Sequence, residues 1–169
     1  MQSTPEVVSV LSTGAIVTLF VITLGPIKIL GPFVQQTHDV DPATVKQIAT
    51  RSFLFSLITV VVSALAGVAL LQKWQISVAS LEFAGGLIFL LVGLRIVLEQ
   101  YQPAGAAPPP LPPSPIAAAL RLTFPTVVTP YGIAAVMVLL ARSTSTSRTL
   151  TILGILVAVM LLNLLAMLS

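Results

Sequence analysis

Thr23-Leu24-Gly25-Pro26-Ile27-Lys28-Ile29-Leu30-Gly31-Pro32-Phe33 lies in the middle of the first long apolar stretch of the chain. Two Gly-Pro pairs, Gly25-Pro26 and Gly31-Pro32, interrupt sequence that would otherwise continue as helix, and Lys28 sits between them. Proline removes an amide donor and crowds the carbonyl four residues back. In hydrocarbon the freed backbone groups find no water, so broken backbone survives only against protein or a wet cavity. A second interruption, Phe124-Pro125-Thr126-Val127-Val128-Thr129-Pro130-Tyr131-Gly132, falls in the fourth apolar stretch. Interrupted segments at corresponding places in two halves of a membrane chain point to a transporter-type binding site.

Composition sets the class. Of 169 residues, 56% are hydrophobic and 8% charged, whereas soluble domains carry about 25% charged residues. The expectation is an all-α, polytopic transmembrane helix bundle of one domain, with the lipid bilayer as its main partner. The net charge of +3 is scattered along the chain rather than gathered in a tract, so it gives no reason to expect a nucleic-acid partner. The absence of cysteine excludes disulfides, zinc-cysteine sites and thiol catalysis. No phosphate loop, metal-ligand cluster, catalytic triad or redox motif is present, so no enzyme activity, cofactor or metal is expected. Met1 to Glu6 lacks the basic region of a signal peptide, so the first apolar segment should be retained.

Five spans are expected. The first runs from about Val7 to Val34 and is broken. The second runs from Pro42, behind an Asp41 N-cap, to Leu71, with Ser56, Thr59, Ser63 and Gly67 forming a small-residue face. After a turn at Gln72–Gln75 the third covers Val78–Leu98. The fourth, Ile116–Ala141, is again broken, and the fifth covers Thr149–Leu168. Residues 1–100 read as a three-helix half, 101–115 as a proline-rich semi-rigid linker, and 116–169 as a two-helix half. Sliding one half onto the other sets Pro130 on Pro26, as in an incomplete inverted three-helix repeat. Lys73, Arg142 and Arg148 fall on the N-terminal side, and Lys46, Arg51, Arg95 and Arg121 on the other. The positive-inside rule then places the N-terminus outside.

Few residues could carry chemistry. Lys28 in mid-span costs about 2.5–3.5 kcal/mol to insert, which makes it functional by default. It binds an anionic group, pairs with a carboxylate, or snorkels to the headgroups. Glu82 is a proton or cation site, the charge partner of Lys28, or an interfacial residue. Arg95 and Glu99 suit a weak interfacial pair. His38 reads as a solvated loop residue, and Asn163 as a hydrogen bond to another helix. Thr123, Thr126 and Thr129 can re-satisfy backbone groups freed by Pro125 and Pro130. Gly85, Gly86 and Gly93 are expected at a helix–helix contact, since Gly86 and Gly93 share a face.

Three blocks in order carry a resemblance: Gly25-Pro26-Ile27, Gly85-Gly86-Leu87-Ile88-Phe89-Leu90-Leu91-Val92-Gly93-Leu94, and Pro125 with Pro130. With their spacing the chain resembles the MarC family of bacterial inner-membrane proteins. It departs from the family in having Gly25 where Asn or Asp is usual and Lys28-Ile29 where Gly-Asn is usual. It also shows five helices where six are usual. The resemblance implies a transporter-type fold in the bacterial inner membrane. The substrate site is expected where the two interruptions meet, at Gly25, Pro26, Lys28, Thr126, Thr129 and Pro130, working by alternating access. The competing expectation is a non-transporting accessory subunit of a larger membrane complex, for example respiratory or photosynthetic. That reading implies other membrane subunits, or further copies of the chain, as partners.

Overall fold

Proline placement cuts the chain into its helices. The residue before a proline is steered away from helical backbone into extended backbone. Gly25, Asp41, Ser114, Phe124 and Thr129 each precede a proline, and all are extended, with ψ between 125° and 175°. The structure is a computed structural model that describes residues 11–99, 101, 112, 114–143 and 145–169, without the side chains of Glu99 and Pro125. Its helices are α1 (Thr13–Leu24), α2 (Ile27–Thr37), α3 (Pro42–Lys73), α4 (Val78–Glu99), α5 (Pro115–Leu122), α6 (Pro130–Ala141) and α7 (Thr146–Leu168). A π-turn, Thr123–Val127, continues α5. Among the described residues there is no strand, and the all-α expectation holds. Most of the expected linker, 101–115, lies outside the described residues.

One expectation is corrected at the start. Gly25-Pro26 separates α1 from α2, but Gly31-Pro32 does not interrupt anything: Pro32 lies inside α2. Gly31 has no Cβ for the proline ring to strike, so helical backbone stays open to it. Gly25 has the same freedom, yet it is extended where Lys28 and Asn163 take over carbonyls at the end of α1.

Local signals account for the other ends. The Asp41 carboxylate accepts from the Ala43 and Thr44 amides at 3.0 Å each, capping α3. These bonds, that with the Thr44 side chain foremost, hold the Asp41 carboxyl below its ordinary range. At the far end of α3, Ile76 N–H donates to Leu71 O at 2.9 Å and Gln75 N–H to Gln72 O at 3.3 Å. This is a Schellman closure, with Gln75 at φ 54° in the position glycine usually takes.

Four stretches, Thr13–Thr37, Pro42–Lys73, Val78–Leu98 and Thr146–Leu168, are long and apolar enough to cross a membrane. The fifth expected span is the interrupted α5–α6 stretch, which runs alongside α3. Ser52 meets Ala119 and Thr123 near one end, and Gly67 meets Met137 further along. α7 runs parallel to α1, since Arg148 donates to Leu11 O at 2.7 Å and Asn163 to Leu24 O at 2.6 Å. α1 and α6 are antiparallel neighbours with their breaks side by side, as Leu24 against Gly132 shows.

The core holds Phe20, Leu24, Val60, Ala64, Val136, Ile152 and Leu156, all fully buried. Of the small face expected on α3, Ser56 is fully buried and Gly67 meets Met137, while Thr59 and Ser63 are only half-buried; the fully buried line is Ser52, Ser56, Val60 and Ala64, every fourth residue. Ile22, Ile27, Phe83, Leu90 and Leu165 lie exposed on the outside of the bundle. That is the surface expected when lipid is the solvent; helices there are held by packing and interhelical hydrogen bonds rather than by a hydrophobic drive.

Candidate functional site

The break at Gly25-Pro26 leaves the last carbonyls of α1 without their usual amide partners four residues on. Pro26 has no N–H to offer Ile22. The amides of Ile29 and Leu30 both donate to Pro26 O, at 3.0 and 3.1 Å, inside the start of α2. Side chains replace the missing amides. The Lys28 ammonium donates to Thr23 O, and Asn163 Nδ2 on α7 donates to Leu24 O at 2.6 Å. Gly25 N–H still closes on Val21 O at 3.0 Å. Gly25 packs so tightly on that turn that a Cβ there would meet Val21 backbone atoms.

The second break is built from the same elements. Phe124, before Pro125, leaves helical backbone inside the π-turn, and Val128 N–H reaches back to Thr123 O at 2.9 Å. Thr123 Oγ1 donates to Ala119 O at 2.8 Å and lies 3.5 Å from Ser52 O. Thr129 caps α6, its Oγ1 accepting from Gly132 N–H at 3.2 Å. Thr129 is 7% exposed, while Thr126 is half-buried and Pro130 exposed.

Lys28 joins the two breaks. Its ammonium lies 3.4 Å from Thr129 Oγ1 and 5.0 Å from the centroid of the Tyr131 ring, which it faces as a cation–π contact. Of the expected site residues, Gly25, Pro26, Lys28, Thr129 and Pro130 therefore converge, and Thr126 lies in the adjoining π-turn. Tyr131 was not among the expected residues. Its signal was its position, an aromatic in the first turn after a membrane proline.

Glu82 is not the partner of Lys28. Its carboxylate pairs with Arg142, with Nη2 to Oε2 at 2.8 Å, at the end of α6 remote from the break. Glu82 opens α4 and Arg142 closes α6, so both lie at one end of an antiparallel pair, far from mid-span Lys28. The expected Arg95–Glu99 pair involves a side chain outside the described residues. His38 is an exposed loop residue beside Asp39, at 2.9 Å.

The glycine expectation is also corrected. Gly86 and Gly93 are exposed, and neither they nor Gly85 would bring a Cβ within 4 Å of any neighbour. Spacing placed two glycines on one face without showing which face meets protein. The close approaches are at Gly67, whose Cβ would lie 2.7 Å from Met137 Sδ, and Gly132, 2.5 Å from Leu24 Cδ2. Gly85 and Gly86 instead border a mostly apolar cavity of about 160 Å³ between α1, α4 and α6, with Leu19, Phe89 and Ala135 in its wall and Glu82 at its rim. The Phe89 ring in the cavity wall stands 5.6 Å from Tyr131, which in turn faces Lys28, so these two rings separate the cavity from the ammonium.

Neither a curated protein nor a solved structure matches the chain. The profile described as MarC family integral membrane protein matches residues 10–169, a span that contains both breaks, the cavity and every helix described above. The chain belongs to the MarC family of integral membrane proteins.

Proposed function

We propose that this multi-pass protein is a transporter whose substrate site is the junction of its two broken helices, and that it lies in the bacterial inner membrane with its N-terminus outside. The observation that carries the reading is the half-buried Lys28 ammonium, which reaches from one interrupted helix to Thr129 of the other at 3.4 Å. The start of a helix carries roughly half a positive charge, and both α2 and α6 start at this junction. Together with Lys28 they favour an anionic group on the substrate. The adjoining apolar cavity would take the rest of a small molecule. The two broken helices run antiparallel, which suits rocking of one half against the other.

Because the chain has no cysteine, a single thiol can report access. Thr126→Cys is treated with a membrane-impermeant methanethiosulfonate in right-side-out and in inverted vesicles. Alternating access predicts modification from both sides. Modification from one side only, or from neither, contradicts it.

A second reading, a non-transporting subunit of a larger membrane assembly, is favoured by one observation. α4 is the least buried of the long helices, with Gly93 exposed and nothing described within 4 Å of its missing Cβ. It predicts that the mildly solubilised protein migrates within a larger complex, and that Thr126→Cys stays unreactive.

A further inference from the structure

The contacts of the Lys28 ammonium are those of a bound cation. It meets the Thr23 carbonyl at the C-terminal end of the half-helix α1, the Thr129 hydroxyl and the face of Tyr131. Among the described residues no carboxylate pairs with it; Asp39 pairs with His38 and Glu82 with Arg142. Unwound carbonyls and the C-terminal ends of half-helices are where transporters hold monovalent cations. A π face attracts any cation. The ammonium head is a compact point charge, close in size to a potassium ion. A further oxygen lies at the same break: Asn163 Oδ1 is buried with no hydrogen-bond partner, on a side chain already tied to Leu24 O.

We infer that Lys28 is a tethered cation occupying a monovalent-cation site formed by Thr23 O and Thr129 Oγ1 where the two broken helices meet. The protein carries its own positive charge at a point where a free alkali ion would otherwise coordinate the buried Thr23 carbonyl. Two consequences follow. The natural chain needs no sodium or potassium to hold the junction together. A chain without the ammonium leaves Thr23 O without its donor and Thr129 Oγ1 with only the Gly132 N–H bond, and acquires affinity for an alkali ion. The inference shares its residues with the proposed substrate site but does not depend on transport, and it is read by stability rather than by thiol access.

The test compares the full-length natural protein with Lys28→Ala and Lys28→Met, purified in detergent in choline, sodium or potassium chloride at equal ionic strength. The natural protein is expected to melt at one temperature in all three salts. Both variants are expected to melt lower in choline. One alkali ion should then restore them in a saturable way, by about 5–10 °C at a concentration a hundred times its Kd. Lys28→Met keeps the aliphatic packing, so it reports the loss of charge without a cavity. Variants indifferent to the cation, or unfolded in every salt, overturn the inference. A natural protein that alkali ions stabilise saturably over choline overturns it as well.

Discussion

Gly25→Ala and Gly31→Ala form a matched pair: each glycine precedes a proline, and both lie in the same apolar stretch. A Cβ on Gly25 would lie 2.8 Å from the Val21 carbonyl carbon and Cα, and closer to the carbonyl oxygen. These are backbone atoms, held by the Gly25 N–H bond to Val21 O at 3.0 Å, and cannot swing aside as a side chain would. Overpacking of this kind costs about 1–3 kcal/mol. Relief requires the break to open, which loosens the ties from Thr23 O to Lys28 and from Leu24 O to Asn163. Interhelical hydrogen bonds in membranes contribute about 0.6 and at most about 1.7 kcal/mol each. The expected loss is therefore about 2–6 kcal/mol, or about 5–25 °C in Tm for a chain of this size. Gly31 has nothing within 4 Å of its missing Cβ. There alanine's helix preference, up to about 1 kcal/mol, is set against crowding by Pro32, and the shift should stay within about 3 °C. The assay is thermal unfolding of the detergent-purified proteins, followed by loss of the monodisperse size-exclusion peak. Gly25→Ala within about 3 °C of the natural protein, or Gly31→Ala equally damaging, would refute this account of the break.

Three further outcomes are expected. Asn163→Leu removes the donor to Leu24 O while also removing the unpartnered Oδ1, so it should cost only about 1 kcal/mol, or about 2–4 °C by the same melting assay. Gln75→Gly relieves the left-handed position that closes α3 and should raise stability by about 1 kcal/mol, seen as a higher Tm. Asp41 titrates below the ordinary carboxylate range because its hydrogen bonds to Thr44 and Ala43 favour the charged form. Its contribution is thus complete above that range and is lost as pH falls through the lowered native value. Asp41→Asn should flatten that acid-side segment of the stability profile.

Much of this architecture was readable in the residues, and the reason is local chemistry. Prolines 26, 42, 115 and 130 mark helix starts because each forces its predecessor into extended backbone, and Asp41 carries its own cap. The low charge content put the chain in lipid. Convergence of the breaks followed from their matching places in two halves. What stayed hidden depends on which face meets which neighbour. Gly31-Pro32 has the same composition as Gly25-Pro26 and differs only in what surrounds it. Gly86 and Gly93 share a face on which neither missing Cβ has a described neighbour within 4 Å, whereas Gly67 and Gly132 face Met137 and Leu24. Opposite charge allows Glu82 to pair with Lys28 as one reading among three, but the end of the bundle decides such pairs, and Arg142 lies at the same end as Glu82. The partner of Asn163 depends on the orphaned carbonyl of Leu24, which only the fold brings beside it.

The central claim is that the Lys28 ammonium joins the two broken helices inside the bundle. The chain has three lysines and two tyrosines, so Lys46→Arg, Lys73→Arg and Tyr101→Phe leave Lys28 and Tyr131 as single labels. Solid-state NMR in phospholipid bilayers can then measure the dipolar coupling of the Lys28 ¹⁵Nζ to the ¹³C-labelled Tyr131 ring and to lipid ³¹P. The account predicts a coupling to the ring that corresponds to about the 5.0 Å seen in the structure, and none to phosphate. A ¹⁵N–³¹P coupling without the ring contact would place the ammonium among the headgroups and contradict it.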